Sequence, residues 1–167
     1  MVASSDVMML SGRLADRDAL DISDWCPLER ALELVGTRSA MVLLREAFWG
    51  ARRFEDLAWR AGITQQIAAK RLKQFVDAGI MTKQPYQRAG ERRRYEYVLT
   101  DRGRALFPVV VSLISFGRML QGDSKGLDLI HGEQCGAQTY AHVQCAEGHP
   151  VSLAQTTARI ASGKNAR

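Results

Sequence analysis

Apolar positions recur at three-and-four spacing through most of the first 120 residues, and sharp punctuation separates one stretch from the next. Leu28, Ala31, Leu32 and Val35 make one helical stripe. Pro27 opens it, since its missing N–H costs nothing in a first turn, and Gly36 closes it. Thr37 is the expected N-cap of a second helix, mostly apolar through Met41, Val42, Leu43, Leu44 and Phe48 and broken at Gly50. A short helix over 53–59 then turns at Gly62 into the best-marked helix of the chain. Thr64 is its N-cap, Ala68, Leu72, Phe75 and Val76 are its buried stripe, and Gly79 with Ile80 supplies a left-handed stop and fold-back. The opposite face carries Gln65, Gln66, Ala69, Lys70 and Lys73, and no acidic residue interrupts it before Asp77.

A short helix, a glycine turn and a second helix form the sequence pattern of a helix-turn-helix. The period then changes. Residues 81–86 and 95–99 suit extended strands, with Tyr95, Tyr97 and Val98 favouring that state. The polar loop between them contains Arg88, Arg92, Arg93 and Arg94. Two strands joined by an Arg-rich loop after a helix-turn-helix describe a wing. The expected fold is therefore mainly α with a small β-hairpin wing, a winged helix-turn-helix. Thr100 and Asp101 start a further helix, with a cap and an acid at the positive end of its dipole. Leu106, Val110, Leu113, Ile114, Phe116 and Leu120 make that helix apolar on more sides than one small domain covers. A second subunit is the expected cover, with these six residues at the interface.

The expected organisation is an N-terminal arm over 1–21, the winged-helix and dimerisation region over 22–120, and an extension over 121–167. In the extension, 140–143 and 150–153 suit short strands, and the chain from about 156 onward looks frayed.

Charge sharpens the picture. Net charge is +5, but residues 1–21 hold two Arg against four Asp, while 22–120 hold 17 Lys or Arg against 10 Asp or Glu. The central segment suits a polyanion. Gln side chains on an exposed helix face can pair with adenine edges in a major groove, and Lys and Arg can contact phosphates. Thr64, Gln65, Gln66, Ala69, Lys70, Lys73, Arg88, Arg92, Arg93 and Arg94 are thus the expected contacts to double-stranded DNA. No apolar run reaches the roughly 20 residues of a membrane span and no signal peptide is evident, so no membrane partner and a cytoplasmic location are expected. Three cysteines, an odd number, argue against a secreted disulfide framework.

In order and spacing the chain resembles the HxlR-type regulators, a MarR-like branch of the bacterial winged-helix transcription factors. The residues that carry the resemblance are Cys26-Pro27, Leu34-Val35-Gly36, Arg53-Phe54-Glu55-Asp56-Leu57 and Gly62-Ile63-Thr64. They continue with Leu72, Asp77-Ala78-Gly79-Ile80 and Tyr97-Val98-Leu99-Thr100-Asp101-Arg102-Gly103. The resemblance covers about residues 24–120 and implies a homodimer, acting as a repressor on an inverted-repeat operator, with a recognition helix in each major groove. The chain departs from the pattern at Ser39-Ala40, where Gly-Lys-Trp-like residues often stand, at Ala68, where a larger apolar residue is usual, and in a wing richer in Arg.

Two further chemistries follow. Several members of the family sense oxidants or electrophiles through a cysteine at the position of Cys26, and a helix N-terminus favours a thiolate. Cys26 is therefore the redox candidate, with a small molecule or an oxidant as effector. In the extension His131, Cys135, Cys145 and His149 give H-x3-C followed by C-x3-H, with His142 as a spare. Two such pairs could hold tetrahedral zinc, the one cofactor the sequence suggests; two free thiols and loop histidines are the simpler reading. An enzyme finds no support: the chain has no Gly-rich phosphate loop and no G-x-S-x-G, and all three histidines lie in the extension. The rival use of the same fold is a protein-interaction or RNA-binding module without operator specificity.

Overall fold

Prolines, threonines and glycines delimit the helices much as their local chemistry dictates. In the computed structural model, which describes residues 7–23, 25–87, 90, 92–121 and 126–161, the order is β1 (Met9–Leu10), α1 (Pro27–Val35), α2 (Arg38–Phe48), α3 (Phe54–Arg60), α4 (Gln65–Asp77), β2 (Met81–Tyr86), β3 (Arg94–Leu99), α5 (Asp101–Arg104), α6 (Phe107–Gln121), α7 (Gly132–Cys135) and β4 (Thr157–Ala158). The mainly helical winged fold expected from the sequence is borne out. The chain divides into two units, one of 27–141 and one of 1–26 with 142–167. This boundary differs from the expected arm and extension, because the two ends of the chain pair with each other.

In the larger unit the core gathers Leu43 and Leu44 of α2, Leu57 of α3, Leu72 and Phe75 of α4, and Met81 at the start of β2, all fully buried. Burying a Leu or Phe side chain of this kind contributes roughly 1.5–3 kcal/mol, so these positions fix how α3 and α4 pack. The Thr37 hydroxyl caps α2 by accepting from the Ala40 N–H. Antiparallel β2 and β3 pair in one register from Met81↔Leu99 to Tyr86↔Arg94. The hairpin docks on the segment before α3: the Tyr97 N–H donates to the Arg52 carbonyl at 2.8 Å, and toward the loop end the Arg53 guanidinium lies 5.4 Å from the Tyr86 ring centroid.

The helix expected to start at Thr100 is in fact two. Pro108 has no N–H to offer the Arg104 carbonyl one turn back, and α5 ends before α6 begins. On α6, Val110 and Val111 are buried, whereas Leu113, Phe116, Met119 and Leu120 are exposed. Two of the six residues expected at a subunit interface thus turn inward: Val110 is 6% exposed and Leu106 packs against the core. The stripe of α1 behaves in the opposite way. Leu28 and Leu32 are 65% and 50% exposed, and only Val35 is buried. By length and composition alone Asp101–Gln121 could cross a membrane, with a mean hydropathy of 1.4 over 18 residues, although Asp101, Arg102, Arg104 and Arg118 leave no uninterrupted apolar run of that length. The outward apolar face of α6 is the cause of that hydropathy.

In the smaller unit Met9–Leu10 pairs in parallel with Thr157–Ala158. Met9–Leu10 of the expected arm and Thr157–Ala158 of the stretch expected to fray thus each form a short strand. The two strands expected at 140–143 and 150–153 do not form. The described contacts there are a Gln144↔Pro150 bridge, a Val151 N–H to Val143 carbonyl bond and a 3₁₀ turn over Leu153–Gln155.

Candidate nucleic-acid interface

Both ends of α4 are fixed by backbone chemistry that its sequence encodes. Thr64 takes extended backbone angles and its hydroxyl accepts from the Ile67 N–H at 3.3 Å. At the other end the Gly79 N–H donates to the Val76 carbonyl and the Ile80 N–H to the Phe75 carbonyl, at 3.0 and 2.8 Å. That pair of hydrogen bonds requires a left-handed residue, and Gly79 supplies it at φ 68°. The start of α5 then clamps this end. The Thr100 hydroxyl donates to the Gly79 and Ile80 carbonyls, and Arg102 donates to the Ala78 carbonyl. Gly103 permits the approach: a Cβ there would stand 2.2 Å from the Ile80 oxygen.

With Ala68, Leu72 and Phe75 fully buried, the face of α4 presented to solvent is set. Thr64, Gln65, Gln66, Ala69, Lys70 and Lys73 are all exposed on it. Lys73 also pairs with Asp77 one turn on, at 2.5 Å. Arg71 is committed elsewhere: its Nε donates to the Ser39 hydroxyl at 3.1 Å and a terminal nitrogen to the Gln74 side-chain Oε1 at 2.8 Å. It ties α4 to the start of α2 and does not join the exposed set. Ile67 and Trp59, 43% and 80% exposed, flank the turn between the two helices, and sequence pattern singled out neither. An exposed apolar side chain breaks no period, so the pattern holds no signal for it.

The wing arginines Arg92, Arg93 and Arg94 are exposed. Arg88 lies outside the described residues. Alternation along the strand separates the others: Arg93 lies 5.9 Å from the Tyr95 ring, while Arg94 pairs opposite Tyr86, whose ring carries Arg53. Lys83, absent from the expected contacts, lies directly across from Tyr97.

Cys26 is half-buried, and its N–H donates to the Ile22 carbonyl at 2.8 Å. In the extension Cys145 Sγ lies 3.6 Å from His149 Nδ1, within a turn closed by the Cys145 N–H to His149 carbonyl bond. His131 precedes α7 and Cys135 ends it. Among the described residues no three His, Cys, Asp or Glu side chains are grouped to hold a metal ion. His131 and Cys135 belong to the larger unit, Cys145 and His149 to the smaller.

Comparison with known proteins agrees with this geometry. Residues 34–124 match the HxlR-like helix-turn-helix family. An uncharacterized HTH-type transcriptional regulator of Mycobacterium tuberculosis is 44% identical over 88 residues, a stretch that covers 53% of this chain and 54% of the relative. The chain thus spans about half the length of that curated relative. Among solved structures, PA1607, described as a candidate transcription factor, is 30% identical with a TM-score of 0.70, covering 84% of this chain and 96% of that one. The redox regulator HypR in its reduced form is 26% identical with a TM-score of 0.51, covering 57% of this chain and 94% of HypR.

Proposed function

This chain belongs to the HxlR-like helix-turn-helix family of transcriptional regulators, and we propose that it acts as a homodimeric repressor that holds inverted-repeat operators in duplex DNA. The family is one of DNA-binding regulators, not of enzymes. The observation that carries the reading is the face of α4, where Gln65, Gln66 and Lys70 stand exposed on a helix whose rotation is fixed by its buried side. The first two turns of a recognition helix lie nearest base edges when such a helix docks. Gln66 and Gln65 read bases, while the wing arginines grip phosphates. Such a regulator works where the DNA is, in the cytoplasm.

Gln66→Ala should weaken binding to an operator far more than to scrambled duplex, since a two-bond contact to adenine discriminates by about 1–3 kcal/mol. Arg93→Ala or Arg94→Ala should weaken both duplexes alike and make the salt dependence shallower by about two, one counterion for each protomer. Affinities measured at several salt concentrations, with single-stranded competitor as a control, check this. Uniform loss in Gln66→Ala with lost selectivity in the arginine variants would reverse the assignment. Tighter binding to single strands would favour an RNA or interaction module instead.

The likeness to HypR supports a thiol response at Cys26. Diamide should change operator affinity, reductant should restore it, and Cys26→Ser should abolish the change. A response that persists in Cys26→Ser would place the reactive thiol at Cys135 or Cys145.

A further inference from the structure

We propose that the cleft between α4 and the wing seats one backbone strand of the bound DNA, gripped by Lys83 from the wing and Lys73 from the helix. The inference rests on the duplex-DNA reading above and deepens it. In B-DNA each phosphodiester strand is the wall between a major and a minor groove. A helix in the major groove and a wing reaching the adjacent minor groove therefore lie on either side of one strand, and its phosphates pass between them.

The structure holds an opening at that place. A cleft of about 380 Å³ is lined by Ala69, Lys73, Val76, Asp77, Lys83 and Tyr97. Lys83 is already positioned: its ammonium lies 5.5 Å from the ring centroids of both Tyr95 and Tyr97. The rings attract the ammonium without neutralising it, and no ion pair among the described residues involves Lys83. Strand alternation places Lys83, Tyr95 and Tyr97 on one face of the hairpin, and Arg93 extends along Tyr95.

The second grip is occupied in the free protein. Lys73 pairs with Asp77, but the two side chains are 76% and 59% exposed, and a pair so open to water is weak. A phosphate in the cleft competes with Asp77 for the same ammonium. Asp77 thus opposes DNA binding, and its charge sets how tightly the seat closes.

The test measures affinity of the full chain for operator and scrambled duplex over a range of salt, with Lys83→Ala, Lys83→Met, Lys83→Arg and Asp77→Asn. Because a dimer carries two copies, Lys83→Ala and Lys83→Met should each weaken both duplexes by the same factor, about 60-fold at 0.1 M salt, with the salt slope reduced by about two. Lys83→Met keeps the aliphatic stem over the tyrosines, so its loss reports charge and not packing. Lys83→Arg should restore binding. Asp77→Asn should tighten both duplexes at low salt. An unchanged slope in Lys83→Met, while Gln66→Ala still loses operator preference, would overturn the seat and leave the DNA reading standing. A wild-type protein that does not prefer duplex would overturn both.

Discussion

Gly103→Ala should destabilise the protein by about 1–3 kcal/mol, the usual cost of forcing extra volume into a packed site. For a chain of this size that is a fall in melting midpoint of roughly 2–12 °C. The added Cβ would stand 2.2 Å from the Ile80 oxygen and 3.0 Å from Leu99 Cδ2. A backbone oxygen cannot swing aside as a side chain can, so α5 must withdraw from the end of α4. The Thr100 and Arg102 bonds to the Gly79, Ile80 and Ala78 carbonyls then lengthen. Because those carbonyls close the recognition helix, DNA affinity should fall together with stability. Thermal melting and duplex binding on the same preparation check this. A variant with the wild-type midpoint would show that α5 does not bear on Ile80 in this way.

The second large effect concerns assembly. Wild-type protein at micromolar concentration should scatter light as a dimer, and the double variant Leu113→Glu with Phe116→Glu should scatter as a monomer. Both residues are about half exposed, at 49% and 57%, so the charges should not unfold the chain. The monomer should bind a two-half-site operator roughly 10²–10⁴-fold more weakly, since it loses the linkage between half-sites. Support comes from the outward faces of α6 and α1, where Leu120 is 73% and Leu28 65% exposed, far more apolar surface than isolated exposed leucines account for. A wild-type monomer would remove the inverted-repeat reading and return this face to other partners, lipid included.

Local chemistry explains which parts of the fold were legible in the sequence. Thr37, Thr64 and Thr100 cap helices where a hydroxyl before an apolar stripe predicts, and Gly79 with Ile80 ends α4 by the expected pair of bonds. The wing followed from its strand residues and turn. The stripe of α1 was found, but periodicity shows only that a face is apolar, not that this chain covers it. The burial of Val110 and the packing of Leu106 on the core were not legible, because a helix apolar all round gives no direction to its inward side. The pairing of Met9–Leu10 with Thr157–Ala158 lies beyond any local signal, being set by contact between distant ends of the chain. At the candidate site the exposed glutamines were legible. The engagement of Arg71 with Ser39 was not, since an arginine in a basic run looks the same whether it faces DNA or a neighbouring helix.

The division of labour on α4 bears on how such regulators diversify. Everything that anchors the helix lies on one side or at its ends: Ala68, Leu72, Phe75, Arg71, the Thr64 cap and the clamp from α5. Gln65, Gln66, Ala69 and Lys70 contribute almost nothing to that anchoring. Surface exchanges of this kind usually change stability by less than about 0.5 kcal/mol. Operator preference and foldability are therefore nearly independent variables in this helix. A gene duplicate could acquire a new target by altering four codons, with no compensating change in the core, and a set of mutually orthogonal regulators could be built on this scaffold by varying those four positions alone.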